Sequence, residues 1–193
     1  MMQLPKSWAD IKLKQLPDIE EAQAFEGNPI HKWNRLVAAL TSQPLEVIEA
    51  LPYDEVLAFN DSLKWVEELP TKVVPSFTIN DTTYDLTLNV FKASTGQYAA
   101  LTEYLKKDGY YKIAECAAVM CIPQGQTYKS SEIEDRAQLF WDNLSVEVAH
   151  PLSGFFLTLL QQSLAVTRLY LKKKITKIQK EMIESLTEVE KVS

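Results

Sequence analysis

From Pro151 to Val192 the sequence reads as one long closing helix, and that stretch constrains the fold more than any other. Its first part, Leu152-Ser153-Gly154-Phe155-Phe156-Leu157-Thr158-Leu159-Leu160, is apolar nearly all round, the pattern of a helix buried inside a domain. From Leu171 the apolar residues Leu171, Ile175, Ile178, Met182, Leu186 and Val189 recur in steps of four and three, one stripe on an otherwise charged rod. A helix from Leu152 to Glu190 would be about 58 Å long, roughly twice the width of a small domain. Part of it is therefore expected to protrude or to lie on something else, which suits assembly or docking better than an active site. The stripe is expected to meet a partner helix, in another copy or in a different protein, or else to fold back onto its own domain.

Lys172, Lys173, Lys174 and Lys177, with Lys180, precede Glu181, Glu184, Glu188 and Glu190 on the same rod. That order opposes the helix dipole, which has little leverage in mid-helix. The lysines read as a solvated face, as a contact for an acidic partner surface, or as a contact for a phosphate backbone such as DNA. Consecutive positions spread around a helix by 100° each, which weakens the DNA reading. The chain as a whole carries 20 Lys plus Arg against 26 Asp plus Glu, a formal net charge of −6, so its body should repel nucleic acid.

Hydrophobic residues at 46% and charged residues at 24% are the balance of a folded globular chain, and 193 residues favour one substantial core over two very small ones. Cys116 and Cys121 are the only cysteines. Five residues apart on a helix they would diverge by about 140°, so reduced, buried thiols are expected rather than a disulfide or a shared metal. The start, Met1-Met2-Gln3-Leu4-Pro5-Lys6-Ser7-Trp8, lacks the apolar core of a secretory signal, which implies intracellular synthesis. Between Phe155 and Leu171, Thr158, Gln161, Gln162, Ser163, Thr167 and Arg168 interrupt the run before a membrane span accumulates, so no membrane is expected.

Trp8-Ala9-Asp10-Ile11-Lys12-Leu13 alternates enough for a short edge strand stopped near Pro17. Asp18-Ile19-Glu20-Glu21 is either a loop or one helical turn. Pro29 opens a helix behind the cap Asn28, ended by Ser42 or Gln43. Pro44 and Pro52 open two more, the last running to Leu69. Phe77-Thr78-Ile79-Asn80 and Thr83-Tyr84-Asp85-Leu86-Thr87-Leu88 read as a β-hairpin, which the Trp8–Leu13 segment could complete to three strands. Asn89 to Ser94 is loop or a first turn. Ser94 or Thr95 caps a helix closing near Gly109, and Tyr110 to Ile122 is a further, central helix ended by Pro123. Ser131 with Glu134 has the capping-box spacing and opens a helix through Ile133, Phe140, Leu144 and Val148, with His150-Pro151 as the junction to the closing helix. These readings predict an α+β chain, mostly α-helical, with a small antiparallel hairpin or sheet, a helical bundle and a long C-terminal helix. Residues 1–170 would form the mainly helical globular domain and 171–193 the protruding or docking segment.

Motifs for chemistry are missing. Neither His31 nor His150 has the neighbours a zinc site needs, no Gly-x-Ser-x-Gly elbow occurs, and the five glycines form no phosphate-cradling loop. No cofactor or metal is expected, and a non-enzymatic role is favoured. Tyr104, Tyr110, Tyr111 and Tyr128 cluster around the Gly109 and Gly125 breaks, as rings wetting their hydroxyls at an interface or as ordinary half-buried tyrosines.

Several short runs carry a resemblance: Trp8-Ala9-Asp10-Ile11 near the start, the Asn80-Asp81-Thr82-Thr83-Tyr84 hairpin and Thr95-Gly96-Gln97-Tyr98 leading a helix. Ala114 to Pro123 with Gly125 and Tyr128, and then the Phe155-Phe156 helix, complete it. In this ordering the chain resembles small structural or morphogenesis proteins of tailed bacteriophages of Bacteroidetes-like hosts, crAss-like phages included. The resemblance implies a virion component made in the host cytoplasm, with other virion proteins and further copies of itself as partners, in the portal, tail or capsid interior. An assembly chaperone absent from the finished particle, or a small phage enzyme or nucleic-acid-associated protein, are the alternatives. It implies no functional residues beyond those read from the stripe and the lysines.

Overall fold

A computed structural model describes residues 2–87, 89, 92–159, 161, 168, 172–176, 178 and 179. The fold is α+β, mostly helical, with one small antiparallel sheet. Two compact units divide at Phe156/Leu157. In the first unit, α1 (Leu16–Ala24), α2 (Pro29–Thr41), α3 (Leu45–Glu49) and α4 (Tyr53–Ser62) precede the hairpin β1 (Ser76–Ile79) and β2 (Thr82–Leu86). There follow α5 (Thr95–Tyr104), α6 (Tyr111–Met120), β3 (Cys121–Pro123) and α7 (Ile133–Asn143). A last helix of this unit, α8, covers 146–156. In the second unit the described residues are helical.

Local chemistry explains most helix starts. Asn28 Oδ1 accepts from the Ile30 amide at 2.9 Å, with Pro29 in the first turn of α2, where its missing N–H costs nothing. Pro44 and Pro52 precede α3 and α4. Ser94 and Gln97 form a capping box on α5, each side chain bonded to the other's backbone amide. Asn80 and Asp81 both take positive φ between β1 and β2, the two-residue turn whose twist suits a hairpin.

The third strand is not the one the alternation suggests. Trp8–Leu13 forms a turn and a single bridge, Lys12 to Ser145, before a 3-10 turn leads into α1, which also takes up Asp18–Glu21. Cys121–Pro123 instead leaves the end of α6 and pairs with β2, Leu86 opposite Cys121 and Tyr84 opposite Pro123. Apolar periodicity continues smoothly through Cys121, so nothing local marks the change. The N-terminal segment serves α8 instead: Ile11 and Trp8 carbonyls accept from the Val146 and Glu147 amides, two of the donors a helix start leaves open. That capping begins α8 five residues before Pro151, so Pro151 lies inside the helix and not at its start. Ser131 and Glu134 form no capping box, because residues Ser130–Glu132 are a 3-10 turn and Glu132 precedes α7. β2 ends at Leu86, so Thr87 is not part of it, contrary to expectation; Leu88 and the C-terminal part of the closing helix lie outside the described residues.

Helix α6 is the central element, buried from Ile113 to Met120 and packed between α5 and α7. Its last carbonyls would be left bare by the turn into β3. Four different groups meet them: Ala117 O accepts from the Cys121 amide, Ala118 O from Arg136 Nη1 at 2.8 Å, Val119 O from Gln97 Nε2 at 3.0 Å and Met120 O from the Thr87 amide at 2.9 Å. The buried end of one helix thereby fixes α5, α7 and the chain after β2. Phe140 on α7 is fully buried against the sheet, its ring centroid 4.9 Å from Tyr84 and 5.5 Å from Phe77.

Cys116 and Cys121 are free and buried, one in α6 and the other opening β3, so they do not share a helix as expected. Burial, with Glu115 adding, pushes the Cys116 thiol up to about 12, and burial pushes Cys121 higher still. Neither should react with a thiol reagent near about pH 8 while the chain is folded, since the thiolate is the nucleophile and both sulfurs are shielded. Both should label together on denaturation. Labelling of the native protein followed by intact mass measures this, and rapid modification of either cysteine without unfolding would contradict it.

Candidate functional site

The residues expected to bind a partner are partly described. Lys172, Lys173, Lys174 and Ile175 lie in a helical run over 172–176, and Ile178 is helical also. All are exposed, Ile175 at 54% and Ile178 at 47%. Three residues apart, the two isoleucines are neighbours on one side of the helix, while the three lysines fan around it. Leu171, Lys177, Met182, Leu186 and Val189 lie outside the described residues. The described helix thus presents a pair of branched apolar side chains to solvent beside three ammonium groups.

A second arrangement lies in the first unit, where α5 ends, the chain turns through Gly109 and α6 begins. Gly109 takes φ +80°, a conformation that disfavours any side chain there. The turn brings Lys107 back over α6. Its Nζ lies 2.5 Å from Glu115 Oε1 and 4.6 Å from the centre of the Tyr104 ring. Glu115 is the one acid on the buried stretch of α6, only 8% exposed, and its Oε2 is buried with no hydrogen-bond donor. Tyr104, Lys107, Tyr111, Glu115, Glu134 and the small side chain of Ala137 line a cleft of about 230 Å³. The bond to Glu115 raises the Lys107 ammonium above its ordinary value. Burial raises the Tyr111 phenol, with Glu115 and Glu134 adding to it, so both groups keep their protons at neutral pH.

A larger cleft of about 460 Å³ lies between α1, α2 and the start of α3, lined by Asp18, Glu21, Arg35 and Ser42 among others. Asp18 and Glu21 are exposed, and Arg35 already sits 4.6 Å over the Phe25 ring. It offers no buried group left without a partner. His31 pairs with Glu49 at 3.5 Å, and His150 Nδ1 meets the Pro70 carbonyl at 2.8 Å. Among the described residues no group of three or more His, Cys, Asp or Glu could hold a metal ion, and no helix is long and apolar enough to cross a membrane.

Comparison with family models, curated proteins and solved structures finds no match for this chain. The reading of function therefore rests on the geometry above and on the ordering of its sequence. Of the tyrosines grouped by sequence, Tyr104 and Tyr111 line one cleft, while Tyr110 bonds Glu20 on α1 instead. Lys107 and Glu115 were not among the residues singled out. Glu115 carried a signal all the same: one carboxylate inside Ala114-Glu115-Cys116-Ala117-Ala118-Val119-Met120, four residues after Tyr111, is too costly to bury without a purpose-made partner.

Proposed function

We propose that this chain is a non-enzymatic assembly protein, a virion component of a tailed phage, that acts by docking its C-terminal helical segment onto neighbouring virion proteins or further copies of itself. The observation that carries the reading is the exposure of Ile175 and Ile178 side by side on a helix, flanked by Lys172, Lys173 and Lys174. Apolar pairs at this spacing are the anchors by which one helix seats on another surface. The lysines favour an acidic partner surface. The placement in a virion draws on the resemblance carried by Trp8–Ile11, the Asn80–Tyr84 hairpin and the Thr95–Tyr98 helix start.

The test compares the full chain with an Ile175→Asp/Ile178→Asp variant by light scattering coupled to size exclusion. The wild-type chain should form a concentration-dependent oligomer, or a complex with virion proteins supplied from disrupted particles. The variant should lose that association roughly tenfold or more, with its melting temperature nearly unchanged, because exposed substitutions seldom shift stability by more than about 0.5 kcal/mol. Mass spectrometry of purified virions should find the chain. A strictly monomeric chain that binds no virion protein and is absent from particles would overturn the reading.

A further inference from the structure

The cleft at the α5–α6 turn holds a carboxylate that its own lysine satisfies only by half. Glu115 Oε1 accepts from Lys107, whereas Glu115 Oε2 is buried without a donor. A buried oxygen in that state calls for a partner. The Lys107 ammonium has three N–H groups but no planar fork, and here it bonds only one of the two oxygens; a guanidinium carries paired, coplanar N–H groups that match both oxygens of a carboxylate and a flat face that stacks on an aromatic ring. Tyr104 is already placed under the cation at 4.6 Å, the geometry of a cation–π contact, which guanidinium makes more often than ammonium.

Size and charge agree. The cleft, about 230 Å³, exceeds the roughly 150 Å³ that admits a benzene-sized molecule. Its charged lining groups are two carboxylates, Glu115 and Glu134, and one ammonium, Lys107, so once Lys107 swings out two negative groups face an incoming cation. Lys107 is easily moved: its side chain is 52% exposed on a flexible stem that follows α5.

We infer that this cleft binds the guanidinium of an arginine side chain presented by a partner protein, with Lys107 as a built-in occupant that the arginine displaces. Glu115 holds the guanidinium end-on, the Tyr104 ring covers its face, and Glu134 adds attraction at the rim. The choice of a protein as carrier rests on the reading of the chain as an assembly protein. The preference for guanidinium does not.

The full-length chain reports on the cleft itself, because Trp141 lies 5.3 Å from the Tyr111 ring that lines it. Tryptophan fluorescence is followed while N-acetyl-arginine methylamide, N-acetyl-lysine methylamide or free arginine is added at constant ionic strength. Acetyl-arginine methylamide should give a saturable change, and Lys107→Ala should tighten its apparent Kd by roughly tenfold, since removing an internal competitor raises the fraction of open sites. Glu115→Gln should abolish the response. Tyr104→Leu, a change at a half-exposed ring that leaves the buried carboxylate in place, should weaken it in a protein whose circular dichroism is unaltered. No saturable change in either the wild type or Lys107→Ala, or an equal response to the lysine compound, overturns the guanidinium site. Tighter binding of free arginine than of the blocked form overturns the protein-borne source. A saturable arginine response in a chain that scatters as a monomer would separate this site from the helix-docking reading, leaving the first standing without the second.

Discussion

Replacing Phe140 by alanine should cost the fold about 3–5 kcal/mol, the range for deleting a large buried aromatic side chain. The ring is completely buried and is the piece of α7 that meets the sheet, edge-on to Tyr84 at 4.9 Å and to Phe77 at 5.5 Å, while those two stack on each other at 5.6 Å. Alanine would remove the apolar transfer term and leave a hole among aromatic rings too large to close onto it. For a chain of this size the melting temperature should fall by roughly 6–20 °C. Urea denaturation should show the same loss as a lower midpoint at unchanged slope. A shift of under about 1 kcal/mol would mean that the α7–sheet contact is not the core it looks like.

Arg136→Met should be the next most damaging change, at about 2–3 kcal/mol. The Arg136 side chain is only 5% exposed, and Nη1 donates to the Ala118 carbonyl at 2.8 Å while Nη2 bonds Glu132 at 2.8 Å. Methionine keeps much of the stem but leaves a buried carbonyl at the end of α6 without a hydrogen bond, and removes a cation from the negative end of that helix. Arg136→Lys should recover part of the loss, because one ammonium can reach one acceptor but cannot span both. Equilibrium denaturation of the three proteins orders them wild type, lysine, methionine. Equal stability of the methionine variant would show that the Ala118 carbonyl finds another donor.

The starts of α2, α3, α4 and α5 were legible because their causes are local. Asn28 before Pro29, Pro44, Pro52, and Ser94 three residues before Gln97 each satisfy or dispense with a donor inside one turn of chain. The Asn80-Asp81 turn and its flanking strands were legible for the same reason. Other features were not. Cys121–Pro123 continues the apolar run of α6 and became a strand because β2 had an open edge within reach. Trp8–Leu13 alternates like a strand but was drawn off to cap α8. Pro151 sits where a helix would ordinarily begin, yet the capping contacts at Val146 and Glu147 start the helix earlier.

The candidate sites divide along the same line. Ile175 and Ile178 could be picked out from periodicity, since a shared helix face follows from a repeat of three and four, but their exposure is read only from the structure. Tyr104 and Tyr111 stood out by their closeness to Gly109, but their meeting with Lys107 and Glu115 needs the turn at Gly109 to close, and that depends on α5 and α6 packing together.

The sequence by itself determined where α2, α3, α4 and α5 begin, that a hairpin forms, and that the chain is mostly helical with a small sheet, because caps, prolines and tight turns act over three or four residues. Only the tertiary structure decided which segment completes the sheet, which groups close the buried end of α6, and where the Glu115 carboxylate finds half of its partners. Those choices are made between residues far apart in the chain, where several segments have similar local preferences and the winner is the one that leaves the fewest polar groups buried without a bond.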